Sequence, residues 1–293
     1  MITKERKKWS IAGNIVLGFL AFLAVMPFLL LVIASFTDEQ TAIANGYSYF
    51  PAKWSLDAYR YLVNEGITIV RAYGITILVT VVGTVCSILM TSMLAYMLSK
   101  EGLPGRKVLN FLLVFTMLFS GGQVPSYIIY ASVLHIKDTI FALLVPNLMM
   151  GAFSVILVRN YFMNSIPKEL LEAARIDGAK EWTILYKIVI PLSKPIIATI
   201  GMMTAMTYWN DWQNGLYYLN DTKLYSIQNI LNAINSSVQF LASNSVTGVR
   251  FGDIPSNTVR MAIAVVGILP LVIAYPFFQK YFVKGLTIGS VKG

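Results

Sequence analysis

The sequence predicts an all-α integral membrane protein, and three observations carry that prediction. Hydrophobic residues fill 56% of the 293 positions, and the mean hydropathy is +0.65, whereas a soluble domain is roughly half apolar. Six apolar runs are long enough to cross a hydrocarbon core of about 30 Å, which takes about 20 helical residues. They cover residues 11–35, 73–98, 108–131, 139–161, 196–216 and 259–282. The 23 Lys and Arg residues avoid these runs and gather beside their ends. The net charge of +9 therefore reads as membrane-edge charge, and nucleic acid is not an expected partner.

Residues 1–10 are a basic N-terminus holding Lys4, Arg6, Lys7 and Lys8. The apolar run behind them is too long for the core of a cleaved signal peptide, so it reads as a retained anchor opening one six-span domain over residues 11–293. With the N-terminus in the cytoplasm, inside segments hold 16 of the 23 Lys and Arg residues and outside segments hold 7. That bias places both termini inside.

The second span carries Thr76, Thr80, Thr84, Ser87 and Thr91 along one face. Such a stripe serves close helix packing, since small residues let backbones approach in lipid, or forms the wall of a polar pathway. Cys86 is the only cysteine and lies inside that span, so one chain has neither a disulfide nor a cysteine metal site. His135, the only histidine, is assigned no role. The third span is interrupted at Ser120-Gly121-Gly122-Gln123-Val124-Pro125, as irregular buried backbone or as the end of the span entering its loop. Pro146-Asn147 marks a kink in the fourth.

The loop over residues 162–195 is the longest amphipathic stretch. Pro167 suits the first position of a helix and Glu169 its first turn. Leu170, Ala173 and Ala174 recur at three- and four-residue spacing, and Gly178 is placed to end the helix Pro167–Ile176. A second short helix follows, with Trp182, Leu185 and Ile188 on one side and Pro191 and Pro195 closing it.

The fifth span ends in Tyr208-Trp209-Asn210-Asp211-Trp212-Gln213-Asn214-Gly215. At 1.5 Å per residue from Pro195, Asp211 falls about 24 Å along, near the hydrocarbon boundary. Rings interleaved with amide and carboxylate groups suit a sugar, whose apolar faces stack while its hydroxyls hydrogen-bond. They equally suit an aromatic belt at the membrane interface. Residues 217–257 form a long outer loop, with a short helix around Ile227, Ile230, Leu231 and Ile234. The last span holds Pro270 and Pro276, and the tail after Gln279 ends inside.

The chain has no G-x-x-x-x-G-K-[ST] phosphate loop, no H-E-x-x-H and no G-x-S-x-G. Paired carboxylates with catalytic spacing are absent from the spans, so an enzyme is not expected. A secondary transporter would need Asp, Glu or His at mid-depth, and the spans hold none there.

Glu172-Ala173-Ala174, Gly178 and Ile188-Val189-Ile190-Pro191 together resemble the EAA loop of membrane subunits of binding-protein-dependent ABC importers. Ile190 stands where that family usually has Leu. With six spans, the Trp-Asn-Asp segment and the Phe-Val-Lys-Gly tail, the chain looks like a carbohydrate-uptake permease of the maltose-type inner-membrane family, close to Gram-positive oligosaccharide permeases.

The resemblance implies a type I ABC importer permease fold with a cytoplasmic coupling helix. It implies ATPase-coupling residues Glu172, Ala173, Ala174, Asp177, Gly178, Ile188 and Pro191, and a substrate pathway at Trp209, Asn210, Asp211, Trp212, Gln213 and Asn214. Implied partners are a second homologous permease, an ATPase dimer, an extracellular sugar-binding lipoprotein and a saccharide, in a bacterial cell membrane. No cofactor binds this chain; ATP and Mg belong to the ATPase. A permease for a non-sugar solute would share the coupling loop, whereas a membrane receptor or scaffold would not need it.

Overall fold

The computed structural model describes residues 4–64, 66–146, 148–243 and 256–288. Asn147 and residues 244–255 of the predicted outer loop lie outside them. The chain divides into two compact units, residues 1–69 with 231–270 and residues 70–230 with 271–293. The described residues are helical throughout, apart from loops and a single antiparallel bridge between Thr37 and Trp54.

In the first unit, helix α1 (Lys4–Ser35) is followed by α2 (Glu39–Asn45) and α3 (Asp57–Asn64), two short helices in the stretch between the first two expected spans. Both are polar and start on side-chain caps. Asp38 accepts from the amide of Thr41 at 3.3 Å, and Ser55 Oγ accepts from the amide of Asp57 at 3.0 Å. Such caps satisfy amides that a helix start leaves free. The ion pair of Asp38 with Lys53, at 2.9 Å, holds the turn between them. Glu39 in turn accepts from the amides of Asn257 and Thr258 at 3.0 and 2.8 Å.

The second unit is built around α4 (Gly66–Ser99). Its buried face carries Thr76, Val79, Gly83, Ser87, Thr91 and Ala95. The hydroxyl-bearing stripe is thus a packing face, with Thr80 and Thr84 at its half-buried margin. Gly83 faces Tyr208 so closely that a methyl group there would stand 2.4 Å from the ring.

The predicted third span is two helices, α5 (Arg106–Leu118) and α6 (Gln123–Tyr127, continued by a wide π-type turn to Val133), meeting at 114°. The break falls at the predicted interruption, where Gly122 has φ +86°, a conformation that costs glycine little. The predicted fourth span is likewise not one helix. It resolves into α7 (Phe141–Leu144) and α8 (Ala152–Ser165). Pro146 has no amide hydrogen to continue α7, and its carbonyl accepts from Asn214 Nδ2 at 3.0 Å.

The loop helices follow: α9 (Lys168–Ile176), α10 (Glu181–Ile184, widening into a π-type stretch Leu185–Val189) and α11 (Ile190–Leu192). An 85° bend leads into α12 (Lys194–Trp209), and then come α13 (Gln213–Tyr218) and α14 (Ile227–Ser243). The final helix α15 (Ser256–Ile288) runs on from the first unit. Three helical stretches, Trp9–Ser35, Gly66–Ser99 and Asn257–Pro276, are individually long and apolar enough to cross a membrane, and the two bent pairs make five if each is one crossing.

Two apolar clusters organise this second unit. One joins Ala95, Tyr96 and Leu98 of α4 to Val155, Val158 and Phe162 of α8 and to Ile184, Leu185, Val189, Ile196 and Ile200. The other joins Val79 of α4 to α7, Tyr208, Tyr218 and Leu219. Each cluster carries one candidate site.

Candidate functional sites: the loop helices and the aromatic recess

Helix α9 sits on the first cluster through Leu171 and Ala174, with Ala179 beyond its end. The opposite side is exposed, and it too is apolar: Leu170, Ala173 and Ile176, the last 86% exposed. The stripe expected from Leu170, Ala173 and Ala174 is split: Ala174 packs on the core beside Leu171, whereas Leu170 and Ala173 stay exposed. Pro167 is the cap residue, extended at ψ 132°, not the first helical residue.

The end of α9 is a Schellman turn. The amide of Gly178 bonds the carbonyl of Arg175 and that of Ala179 bonds the carbonyl of Ala174, each at 3.0 Å. Gly178 has φ +77°, and a side chain there would be strained.

The second loop helix departs from the expected pattern. Trp182 is 57% exposed and stacks on Tyr186, with centroids 5.8 Å apart, whereas Ile184, Leu185 and Val189 are buried. The π-type turn supplies the reason: the amide of Ile190 bonds the carbonyl of Leu185, five residues back, which shifts the buried face. Pro191 lies inside α11 instead of closing it, tolerated after the widened turn, and the chain turns at Ser193.

A groove of about 620 Å³ opens beside α9. Glu172, Arg175 and Glu181 of the loop line it, with Tyr96, Lys100 and Glu101 from the end of α4 and the turn after it. Glu181 accepts from the Tyr96 hydroxyl at 2.5 Å, Lys100 Nζ at 2.8 Å and Arg175 Nε at 3.4 Å. Lys100 also lies 4.7 Å from the centre of the Tyr96 ring. Burial alone would raise the Glu181 carboxyl, but the hydrogen bonds from Lys100 and Tyr96 outweigh it and hold the group below its ordinary range. A hydrogen bond from Lys168, across an exposed ion pair, similarly lowers Glu101.

Of the expected coupling residues, Glu172, Ala173, Asp177 and Gly178 are exposed on or just after α9, and Ala174 packs inward. Ile188 is half-buried and Pro191 exposed, both on the second loop helix. Glu181, Tyr96 and Lys100 were missed as a cluster. The signals were an acidic residue opening a helix and a Tyr-x-x-x-Lys pair one turn apart, but only the fold brings Glu181 together with Tyr96, 85 residues away in sequence.

The aromatic–amide segment sits on the second cluster. Tyr208 donates to the carbonyl of Leu144 at 2.8 Å, and both Trp209 and Asn214 are buried. Trp209 and Asn214 thus face inward, and Asn214 ties α13 to Pro146. Asp211 Oδ1 accepts from the amides of Gln213 and Asn214 at 3.2 and 3.3 Å, starting α13. The remaining expected residues, Asn210, Asp211, Trp212 and Gln213, line a recess of about 410 Å³ with Leu148, Met206 and Thr207. Gln228 Nε2 reaches Asn210 Oδ1 at 3.4 Å, and Asn229 Nδ2 bonds the carbonyl of Trp212 at 2.8 Å. The start of α14 thus buttresses the recess.

No group of three or more His, Cys, Asp or Glu residues among the described residues is arranged to hold a metal.

Helices long and apolar enough to cross a membrane, with an exposed amphipathic loop braced onto them, mark a multi-pass membrane component. The chain belongs to the family described as binding-protein-dependent transport system inner membrane component, whose model matches residues 2–288. It is 41% identical to the polygalacturonan/rhamnogalacturonan transport system permease protein YtcP of Bacillus subtilis, over 95% of this chain and 97% of that one. It is 29% identical to the arabinooligosaccharides transport system permease protein AraQ of Halalkalibacterium halodurans, over 94% of both. Among solved structures, a bacterial ABC transporter involved in import of the acidic polysaccharide alginate matches with a TM-score of 0.78 and 31% identity. That match covers 96% of this chain and 99% of the other. The chain is an integral, multi-pass transport component and not an enzyme.

Proposed function

We propose that this chain is one permease of an ATP-driven importer that moves an oligosaccharide handed over by an extracellular binding protein. The observation that carries the reading is α9, a short amphipathic helix with an apolar, Glu172-bearing side left uncovered while its other side is fixed to the core. An ATPase subunit seated on that side converts its own closure into motion of the spans. ATP and Mg bind the ATPase dimer, because this chain has no phosphate loop.

A second permease completes the pathway, and the chain crosses a bacterial cell membrane six times with both termini inside. The charge bias of the loops supports that orientation. The loop 162–195 then faces the ATPases and the recess at Trp212 faces the outside.

The saccharide class rests on Trp212 beside Asn210, Asp211 and Gln213 in the outer recess, and on relatives named for polygalacturonan, arabinooligosaccharides and alginate import. An acidic oligosaccharide fits two of those three names. The recess residues carry a carboxylate and no cation, so this subunit meets sugar hydroxyls and leaves the substrate's charge to its partners.

Purification of the tagged chain in mild detergent, with mass spectrometry and an ATPase assay, tests the reading. A second permease and an ATPase are expected to co-purify, and Glu172→Lys is expected to release the ATPase while the chain stays in the membrane. A chain that purifies alone, without ATP hydrolysis, overturns it.

A further inference from the structure

The loop helices are joined by the chain itself to α8 on one side and to α12 on the other. Helix α4 has no such link. It meets the loop through Tyr96 and Leu98 packed in one cluster with Ile184 and Leu185, through the exposed Glu101–Lys168 pair, and through Glu181. Apolar packing is non-directional and permits sliding. An ion pair whose two side chains are 67% and 69% exposed constrains little. Glu181 differs from both. Its two oxygens take donors from the end of α4 (Tyr96), from Lys100 just after it and from α9 (Arg175), and three donors converging on one carboxylate fix position along each helix as well as distance.

We propose that Glu181 is a positioning residue that locks the register of the loop helices on the end of α4, so that α4 moves together with α9 when an ATPase displaces it. The proposal rests on the docking role of α9 given above. Without Glu181 the ATPase still holds α9, but its displacement reaches α8 and α12 while α4 lags.

The complex carrying its ATPase tests this by distance measurement. Cys86 is the only cysteine, so a Cys86→Ser background accepts paired spin labels at Gly102→Cys, just after α4, and Glu169→Cys on α9, both exposed. Pulsed electron paramagnetic resonance reads their separation without nucleotide and after vanadate trapping. With Glu181 present, the same narrow distribution is expected in both states. With Glu181→Ala, trapping is expected to displace and broaden it while the ATPase remains bound. Lys100→Met serves as a second variant with the same expectation should Glu181→Ala fail to assemble.

A separation that changes on trapping in the unmodified chain, or stays narrow and fixed in both variants, overturns the proposal. So does release of the ATPase by Glu181→Ala, which would assign Glu181 to the docking surface. If the unmodified chain binds no ATPase at all, the functional reading itself has failed, and this proposal falls with it.

Discussion

Trp212 is the aromatic residue among those lining the recess at the end of α12, and its neighbours Asn210, Asp211 and Gln213 supply hydrogen-bonding groups around it. If it stacks on a sugar, Trp212→Ala removes about 1–3 kcal/mol of stacking, by analogy with aromatic platforms for flat ligands. Uptake of a labelled oligogalacturonide should then show a KM raised about 5- to 150-fold, with membrane content unchanged. Unaltered kinetics would leave the residue an interface anchor. Asp138 is a residue of a different kind. It has φ +55° and accepts from the amides of Asn220 and Asp221 and from the Asn220 side chain. The Asn220 and Asp221 amides hold its carboxyl below the ordinary value of 3.8. A depressed acid stabilises the fold above its unfolded value and loses that contribution as pH falls through the folded one. The melting-temperature deficit of Asp138→Asn should therefore be constant from about pH 8 to 5 and shrink only below the ordinary 3.8, as thermal scans in detergent can record.

Packing of whole elements turns on small residues facing large ones. The Tyr208 ring of α12 fills the gap at Gly83 on α4 and holds the carbonyl of Leu144 at the end of α7. Gly83→Ala forces that ring outward and is expected to destabilise by about 1–3 kcal/mol, as overpacking does. Gly74 on the same helix has nothing within 4 Å of its would-be side chain. Gly74→Ala should be neutral or slightly stabilising, since alanine is the better helix former by about 1 kcal/mol. Melting temperatures of the two variants, compared side by side, check the pair. The same logic explains the loop helices, where Gly178 at φ +77° ends α9 and lets Ala174 and Ala179 both reach the core.

Across the whole molecule, charge decides which end of each span is which. Lys168, Arg175, Lys180, Lys187 and Lys194 lie in the loop at 162–195, whereas Asn220 lies in a segment expected outside. In the Cys86→Ser background, a membrane-impermeant maleimide added to intact cells should label Asn220→Cys and spare Gly102→Cys. Labelling of Gly102→Cys would reverse the orientation and remove the ATPase from reach of α9. The helical class, the three long spans and the loop with its terminating Gly178 were legible in the residues, because hydropathy and backbone preference act locally along the chain. The inward placement of Trp209 and Asn214 was not. Spacing presents them as members of a sugar-binding run, and only folding sends both inward, Asn214 to the carbonyl of Pro146. The two breaks were marked in sequence, by Gly121-Gly122 in the third predicted span and by Pro146 in the fourth, but the 114° bend and the distant partner of the Pro146 carbonyl were not, because a contact with Asn214 leaves no local pattern. Local propensity is written residue by residue, and so the sequence alone determined which stretches are apolar, which are helical and where the amphipathic loop lies. Tertiary structure decided which side chains share a site, as with Tyr96, Lys100, Arg175 and Glu181, because contact depends on how separate helices pack and not on their order in the chain.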